Sequence, residues 1–436
     1  MKILTAILAC TALAAGSAYA ATPVDKNDRY TRLNPKMAKA DPRPVEIANY
    51  PFLHRSANYI DFNGDDWTAL RHKFATLGQR GNNVVTIVHI GDSHIQGDGN
   101  TGQVRKHMQN TYGNAGRGLM SPLRIAGTNQ PMDYTLTTKA SCATATLLKK
   151  PWRVPMGFTG AAVRPSSSQA SFSLTDKSDF NELRIYTNGP VKVTSVSSND
   201  AEVPATTESK EWGAQINLES PVKSLTFTLS GDGMILYGVD ARDTRQPGVL
   251  YHAIGNNGAT FQTYSRLGTT GSGVHLLNPD LIIISLGSNE AFGNVTDQAF
   301  YNMVDKMVTD IRTHNPQAKI LLTSPGECQR SAGRSGKVAS RAYAVNSNVE
   351  RLGKVILKYG KDHNIATYDF FDVAGGTGSS NDWLQKGLLS RDRIHRTWNG
   401  YYLEGNLIYN ALYKALTGKE IPEEAPVANP ADVPAK

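Results

Sequence analysis

VVTIVHIGDSHIQG, residues 84–97, is a β-branched run that stops on a glycine and three polar residues. The apolar positions 84–88 are continuous, which suits a strand buried on both faces and therefore a parallel sheet covered by helices. In open α/β sheets, chemistry sits outside the carboxyl ends of the strands, so the run delivers the hydroxyl of Ser93 to the reactive edge. Ser93 is the candidate nucleophile. Asp92 and Ser93 also suit the N-cap of a helix expected over 101–111, and a short motif alone has many chance matches.

Toward the N-terminus, Lys2, an apolar stretch over 3–15 and Ala18-Tyr19-Ala20 form a secretory leader, with processing expected before Ala21. The leader is too short to span a bilayer and no later stretch approaches that length, so a soluble exported chain is expected, without integral membrane association. Residues 21–51 are polar, and Asp41-Pro42-Arg43-Pro44 breaks any helix, so they read as a tether or surface wrap. The acidic turn over 61–66 leads into a helix with Trp67, Leu70, Phe74 and Leu77 at helical spacing. It lacks the full ligand pattern of a calcium loop, and no metal is placed there.

Beyond the leader only Cys142 and Cys328 remain, without zinc-ligand spacing, and they are expected to be unpaired. A chain of 436 residues that is 40% hydrophobic can bury a sizeable core in two or more domains. The formal net charge of +8 favours acidic partners. No Lys/Arg block or nucleic-acid motif accompanies it, so an anionic envelope glycan suits an exported protein better than nucleic acid does.

Over 132–243 the sequence turns Ser/Thr-rich and alternates, as in ELRIY (182–186), VKV (191–193), SLTFTL (224–229) and MILY (234–237). This pattern predicts an inserted β-sandwich, jelly-roll-like. Trp152, Tyr186 and Trp212 could stack on sugar rings or fill its core. The α/β pattern resumes at YHAIGNNG (251–258), and a second buried strand over 280–286 ends in Gly287-Ser288-Asn289. A helix over 298–314, a strand over 319–323, a helix over 339–359 and a strand over 366–370 come next, an alternation that defines a parallel sheet. Gly375-Gly376-Thr377-Gly378-Ser379-Ser380 reads as a linker or, the favoured reading, a mobile loop beside the site, and a last helix ends near 416. The Pro- and acid-rich tail 421–436 has nothing with which to build a core and is expected to be disordered. The expected division is leader 1–20, extension 21–51, α/β parts 52–131 and 244–420 around the insertion 132–243, and tail 421–436.

The chemistry each position would serve derives from its residue type. A serine hydroxyl needs a base, which His395 can be; Asp392, three residues earlier, can hold its other ring nitrogen. The oxyanion that attack on an acyl carbon creates needs preset hydrogen-bond donors. Gly91-Asp92-Ser93, Gly255, Gly287-Ser288-Asn289 and Asp392-x-x-His395 occur in the order of the four blocks of the SGNH branch of the GDSL esterase and lipase family, which the chain resembles. Gly258 and the glycines within 113–118 are other matches to the glycine block. His89, His94, His107, His252 and His275 lack a comparably spaced carboxylate and are expected to be structural.

The resemblance implies a three-layer α/β/α fold with a parallel sheet, catalytic Ser93, Asp392 and His395, and an oxyanion hole from Ser93, Gly255 and Asn289, with no cofactor. Glu290 stands where the family often has Asp, and with the insertion this is similar to the periplasmic peptidoglycan O-acetylesterases. They imply O-acetylated peptidoglycan as partner, the C6 acetyl of muramic acid as target, and the periplasm as location. An acetyltransferase or an acetylesterase of another envelope or dietary polysaccharide shares the same acyl-enzyme. A non-catalytic glycan-binding protein is the reading from another class.

Overall fold

Strand β1 (Val84–Gly91) is buried from its second residue to its last, and it lies centrally in a five-stranded sheet. The computed structural model describes residues 46–79, 81–334 and 341–421; the leader, most of the extension and tail residues 422–436 lie outside the described residues. The other strands are β2 (Gly248–Gly255), β3 (Leu281–Ser285), β4 (Lys319–Thr323) and β5 (Ala366–Tyr368). All run parallel in the order β2-β1-β3-β4-β5.

Successive side chains of a strand face opposite ways, so both faces of this sheet must be covered. Val85, Ile87, Leu281 and Ile283 share a core with helices α1 (Thr68–Ala75), α2 (Gly99–Tyr112) and α3 (Trp398–Thr417). Val88, Ile90, Ile282 and Ile284 share the other core with α4 (Asp297–His314) and α5 (Ser347–Asp362). Each fully buried aliphatic side chain contributes on the order of 1.5–3 kcal/mol, which is why the sheet and not local propensity fixes these elements. The result is the three-layer α/β/α architecture.

Between α2 and β2 the chain builds ten strands that hydrogen bonds join into one antiparallel sheet. Its longest members, Gln169–Thr187 and Gly213–Ser230, pair with register shifts around Val222. In the first of these, Ala170, Phe172 and Leu174 face the core while Gln169, Ser171, Ser173 and Thr175 face water, the alternation expected of a half-buried strand. The sheet begins at Gly118–Met120, ahead of the change in composition at 132, and this strand pairs with Leu236–Arg242. Tyr186 is buried, tilted against Trp212 at 5.3 Å, and belongs to the core shared with Val88 and Ile90.

Three local expectations are corrected. Of the helix expected over 339–359, residues Arg341–Val345 form a strand instead, paired with Gln329–Arg334, and α5 begins only at Ser347. Residues 339–340 lie outside the described residues. The strand over 366–370 ends at Tyr368, because Asp369 caps the turn Phe370–Val373 through the Asp372 N–H. The glycine-rich 375–380 is not a free loop. Glu327 accepts from the N–H groups of Gly378 and Ser380 at 2.8 Å each, and a helix Ser379–Gln385 starts there with Ser379 and Ser380 buried. No helix among the described residues is long and apolar enough to cross a membrane. Cys142 and Cys328 are both free, Cys328 buried.

Candidate active site

β1 ends at Gly91, and the next residue, Asp92, accepts the His94 N–H at 2.9 Å, opening the single turn Ser93–Gln96. Capping and exposure of Ser93 are thus divided between neighbours. Asp92 satisfies an open donor of the turn, while the Ser93 hydroxyl meets His395 Nε2 at 2.8 Å. His395 Nδ1 meets Asp392 Oδ2 at 2.6 Å. The three residues therefore form a continuous hydroxyl–imidazole–carboxylate chain across 302 positions of sequence.

The Asp392 loop is organised by its own carboxylate. Oδ1 accepts from the Ser390 hydroxyl at 2.6 Å and from the N–H groups of Ile394 and His395 at 2.9 Å each. Partial burial would raise the pKa of Asp392, but the bonds from His395 and Ser390 outweigh it and hold the carboxyl well below its ordinary range. Behind the loop, Arg396 lies over the Trp383 ring at 4.7 Å and its Nε is 3.6 Å from Glu404 Oε2. Glu404 also accepts from Asn100 Nδ2 at 2.7 Å. Burial raises the pKa of Glu404 against the pull of Arg396.

Gly255 ends β2 in register with Gly91, directly beside the serine turn. A Cβ at Gly255 would stand 2.1 Å from Gln96 N, so only glycine lets these two backbones approach. Gln96 also secures the loop after Gly255: its Oε1 accepts the Asn257 N–H, and its Nε2 donates to Asn129 O at 2.7 Å. Gly258, the other glycine matched from sequence, lies farther along this loop at φ +71° under Leu148.

Asn289 comes after β3 at the same edge. Its Nδ2 donates to Asp92 Oδ2 at 3.1 Å and to Ala259 O at 2.9 Å, so it joins the serine turn to the loop after β2. Burial pushes Asp92 up to about 7, against the lowering bond from the His94 N–H. Glu290 is likewise pushed up to about 7 by burial, with its Oε1 accepting the Phe261 N–H at 2.8 Å.

The structure thus brings Ser93, Gly255, Asn289, Asp392 and His395 to one sheet edge. His94 lies beside them, its ring 5.3 Å from that of His395 and its Nδ1 3.2 Å from the Tyr401 hydroxyl. Burial, and after it the charge of His395, keeps the His94 pKa well below its ordinary value. His89 bonds Tyr251 and Ser285 under the sheet, and His252 accepts the Leu119 N–H. Gln96, Arg396 and Glu404 carry no motif, and only their partners in space mark them. Chemically, the arrangement can pass a hydroxyl proton to a held imidazole while the oxygen attacks an acyl carbon, the geometry of acyl transfer.

Residues 236–403 match the model of the GDSL-like lipase/acylhydrolase family, a span that holds Gly255, Asn289, Asp392 and His395 but not Ser93. The chain is similar to a solved peptidoglycan O-acetylesterase with a TM-score of 0.66 and 18% identity, over 83% of this chain and 99% of that one. A lipase/acylhydrolase from Enterococcus faecalis matches 41% of this chain and 80% of its own at 23% identity and a TM-score of 0.29. An acetyl xylan esterase matches 39% and 83% at 18% identity and a TM-score of 0.30. No curated protein matches the chain.

Proposed function

Residues 236–403 belong to the GDSL-like lipase/acylhydrolase family and the chain has the SGNH-hydrolase fold, and from this premise we propose that the protein is an exported serine esterase that removes O-acetyl groups from peptidoglycan. The observation that carries the reading is the Ser93–His395–Asp392 hydrogen-bonded chain, at 2.8 and 2.6 Å, at the carboxyl edge of a parallel sheet. Ser93 attacks the acetyl carbonyl as His395 takes its proton. His395 then protonates the departing sugar oxygen, and water releases acetate from the acyl-serine in a second step. The backbone N–H groups of Ser93 and Gly255 and the Asn289 amide serve the oxyanion. For Asn289 this means exchanging an acceptor already in place, the longer 3.1 Å bond to Asp92.

The substrate part of the proposal draws on the likeness to a peptidoglycan O-acetylesterase over 83% of this chain, a share that residues outside 118–242 could not fill by themselves. The bond cleaved is assigned to the C6 acetyl of muramic acid, and the leader read over 1–20 supports the periplasm as the site of reaction. The test is acetate release by the purified chain from O-acetylated murein and from chemically de-O-acetylated murein. Release from the first alone is expected; none from either would overturn the substrate reading.

A further inference from the structure

We propose that the segment 147–153, Leu-Leu-Lys-Lys-Pro-Trp-Arg, in the connection between the strands Cys142–Thr146 and Ala161–Pro165, is a recognition element that holds the carboxylates of an anionic, acetylated glycan beside the reacting serine. This rests on the esterase reading above and adds the charge class of the polymer and the residues that select it.

The segment is fixed to the site. Leu147 donates its N–H to Gly160 O at 2.9 Å, and Trp152 Nε1 donates to Leu147 O at 3.2 Å. Asn256, the residue after Gly255, donates from Nδ2 to Thr159 O at 3.0 Å and fills the space over Gly160. At the tip, a methyl on Gly258 would stand 2.4 Å from Leu148 Cδ1, so Leu148 rests on the very loop that begins at Gly255. Three residues of backbone reach at most ~10 Å, so the Gly258 on which Leu148 rests lies within that span of Gly255, the glycine beside the serine turn.

The tip also has the composition for the task. Leu148 is 46% exposed, an isolated apolar surface at the rim, with Phe292 exposed beyond Asn289. Lys149, Lys150 and Arg153 are exposed around it, and no carboxylate among the described residues pairs with any of the three. The Lys150 ammonium is held 4.7 Å over the Trp152 ring. Three exposed cations with no carboxylate partner among the described residues, in a chain of net charge +8, fit a polymer that carries carboxylates close to its acetyl groups.

The experiment compares the full-length chain with the Lys149→Glu/Lys150→Glu double variant. Acetate release is followed from O-acetylated murein, acetylated alginate and acetylated xylan, with 4-nitrophenyl acetate as the uncharged reference. The expected result is at least a tenfold fall in kcat/KM on both anionic polymers relative to the small ester, carried by KM, with xylan falling no more than the small ester. High salt should narrow the gap between the two proteins, because exposed charges are screened. An equal ratio in both proteins, or an equal fall on xylan and alginate, overturns the proposal. A parent protein active on alginate but inert on murein removes the peptidoglycan reading and leaves the charge selection to be judged on alginate. Activity on xylan alone overturns both.

Discussion

Asp392 holds His395 twice: Oδ2 takes the ring Nδ1 at 2.6 Å while Oδ1 takes the same residue's backbone N–H at 2.9 Å. One carboxylate therefore sets both the direction of the imidazole and the turn that carries it. Asp392→Asn should keep the turn's acceptor yet favour the wrong ring tautomer, lowering kcat by about 10⁴-fold with little change in Tm. Asp392→Ala should cost as much activity and lower Tm as well, since the N–H groups of Ile394 and His395 lose their acceptor. Steady-state kinetics on 4-nitrophenyl acetate and thermal melts of both variants decide this; an Asp392→Asn enzyme within tenfold of the parent would refute it.

Ser93→Ala should remove at least ~10³-fold of the activity. Its stability should stay within about 0.5 kcal/mol, because the turn Ser93–Gln96 is capped by Asp92 and not by the serine. Paired activity and denaturation curves separate the two effects. A large loss of stability would show that Ser93 is structural.

Gly255→Ala tests the close approach of β2 to the serine turn. The added carbon meets backbone at 2.1 Å, with no flexible side-chain end to give way. A cost of about 1–3 kcal/mol and at least ~10²-fold in kcat is expected. Gly258→Ala, next to the movable tip of Leu148, should spare kcat by comparison even though its backbone is left-handed. Equal kinetic losses at the two sites would count against Gly255 as the residue beside the oxyanion.

Glu290 gives a stability change with pH. Its folded pKa is raised from 4.5 to about 7, so between those values the folded chain holds a proton that the unfolded chain releases, and stability falls as pH rises through that window. The loss is on the order of 1–3 kcal/mol. Asp92, raised from 3.8 to about 7, acts with the same sign, whereas Asp392, lowered, acts only below 3.8 and with the opposite sign. Buried His89, His94 and His252, held below their ordinary range, act with the opposite sign up to pH 6.5, so the effect of Glu290 is read as a difference: the stability of the parent relative to Glu290→Gln should fall as pH rises from 5 to 7. Chemical denaturation at pH 5, 6, 7 and 8 measures the slope, and identical slopes for the two proteins would overturn the assignment.

The parallel sheet was readable in the chain because strands buried on both faces leave unbroken apolar runs, as at 84–88 and 281–284. Ser93, Asn289, Asp392 and His395 were readable because each sits just past such a run or in a short block with fixed internal spacing. Gln96, Glu327 and Arg396 were not. Each is an ordinary polar residue, and its meaning lies in a partner such as Asn257, 161 positions from Gln96, that only the folded chain supplies. The place of His94 beside the site was hidden for the same cause, since its neighbour His395 arrives from the other end of the domain. The hairpin ending in Arg341–Val345 was hidden because its residues join a helix with no breaking residue between them, and pairing with Gln329–Arg334 decides the matter.

Met120 and Val239 are paired neighbours in adjoining antiparallel strands, so the polypeptide leaves the catalytic half and returns to it through the same doorway. Two bonds tie what is enclosed between them to the seam where Gly91 meets Gly255: Gln96 Nε2 to Asn129 O and Asn256 Nδ2 to Thr159 O. Growth of that side lobe at its far strands would therefore be tolerated, whereas changes around Asn129 and Thr159 would be felt at the reacting edge.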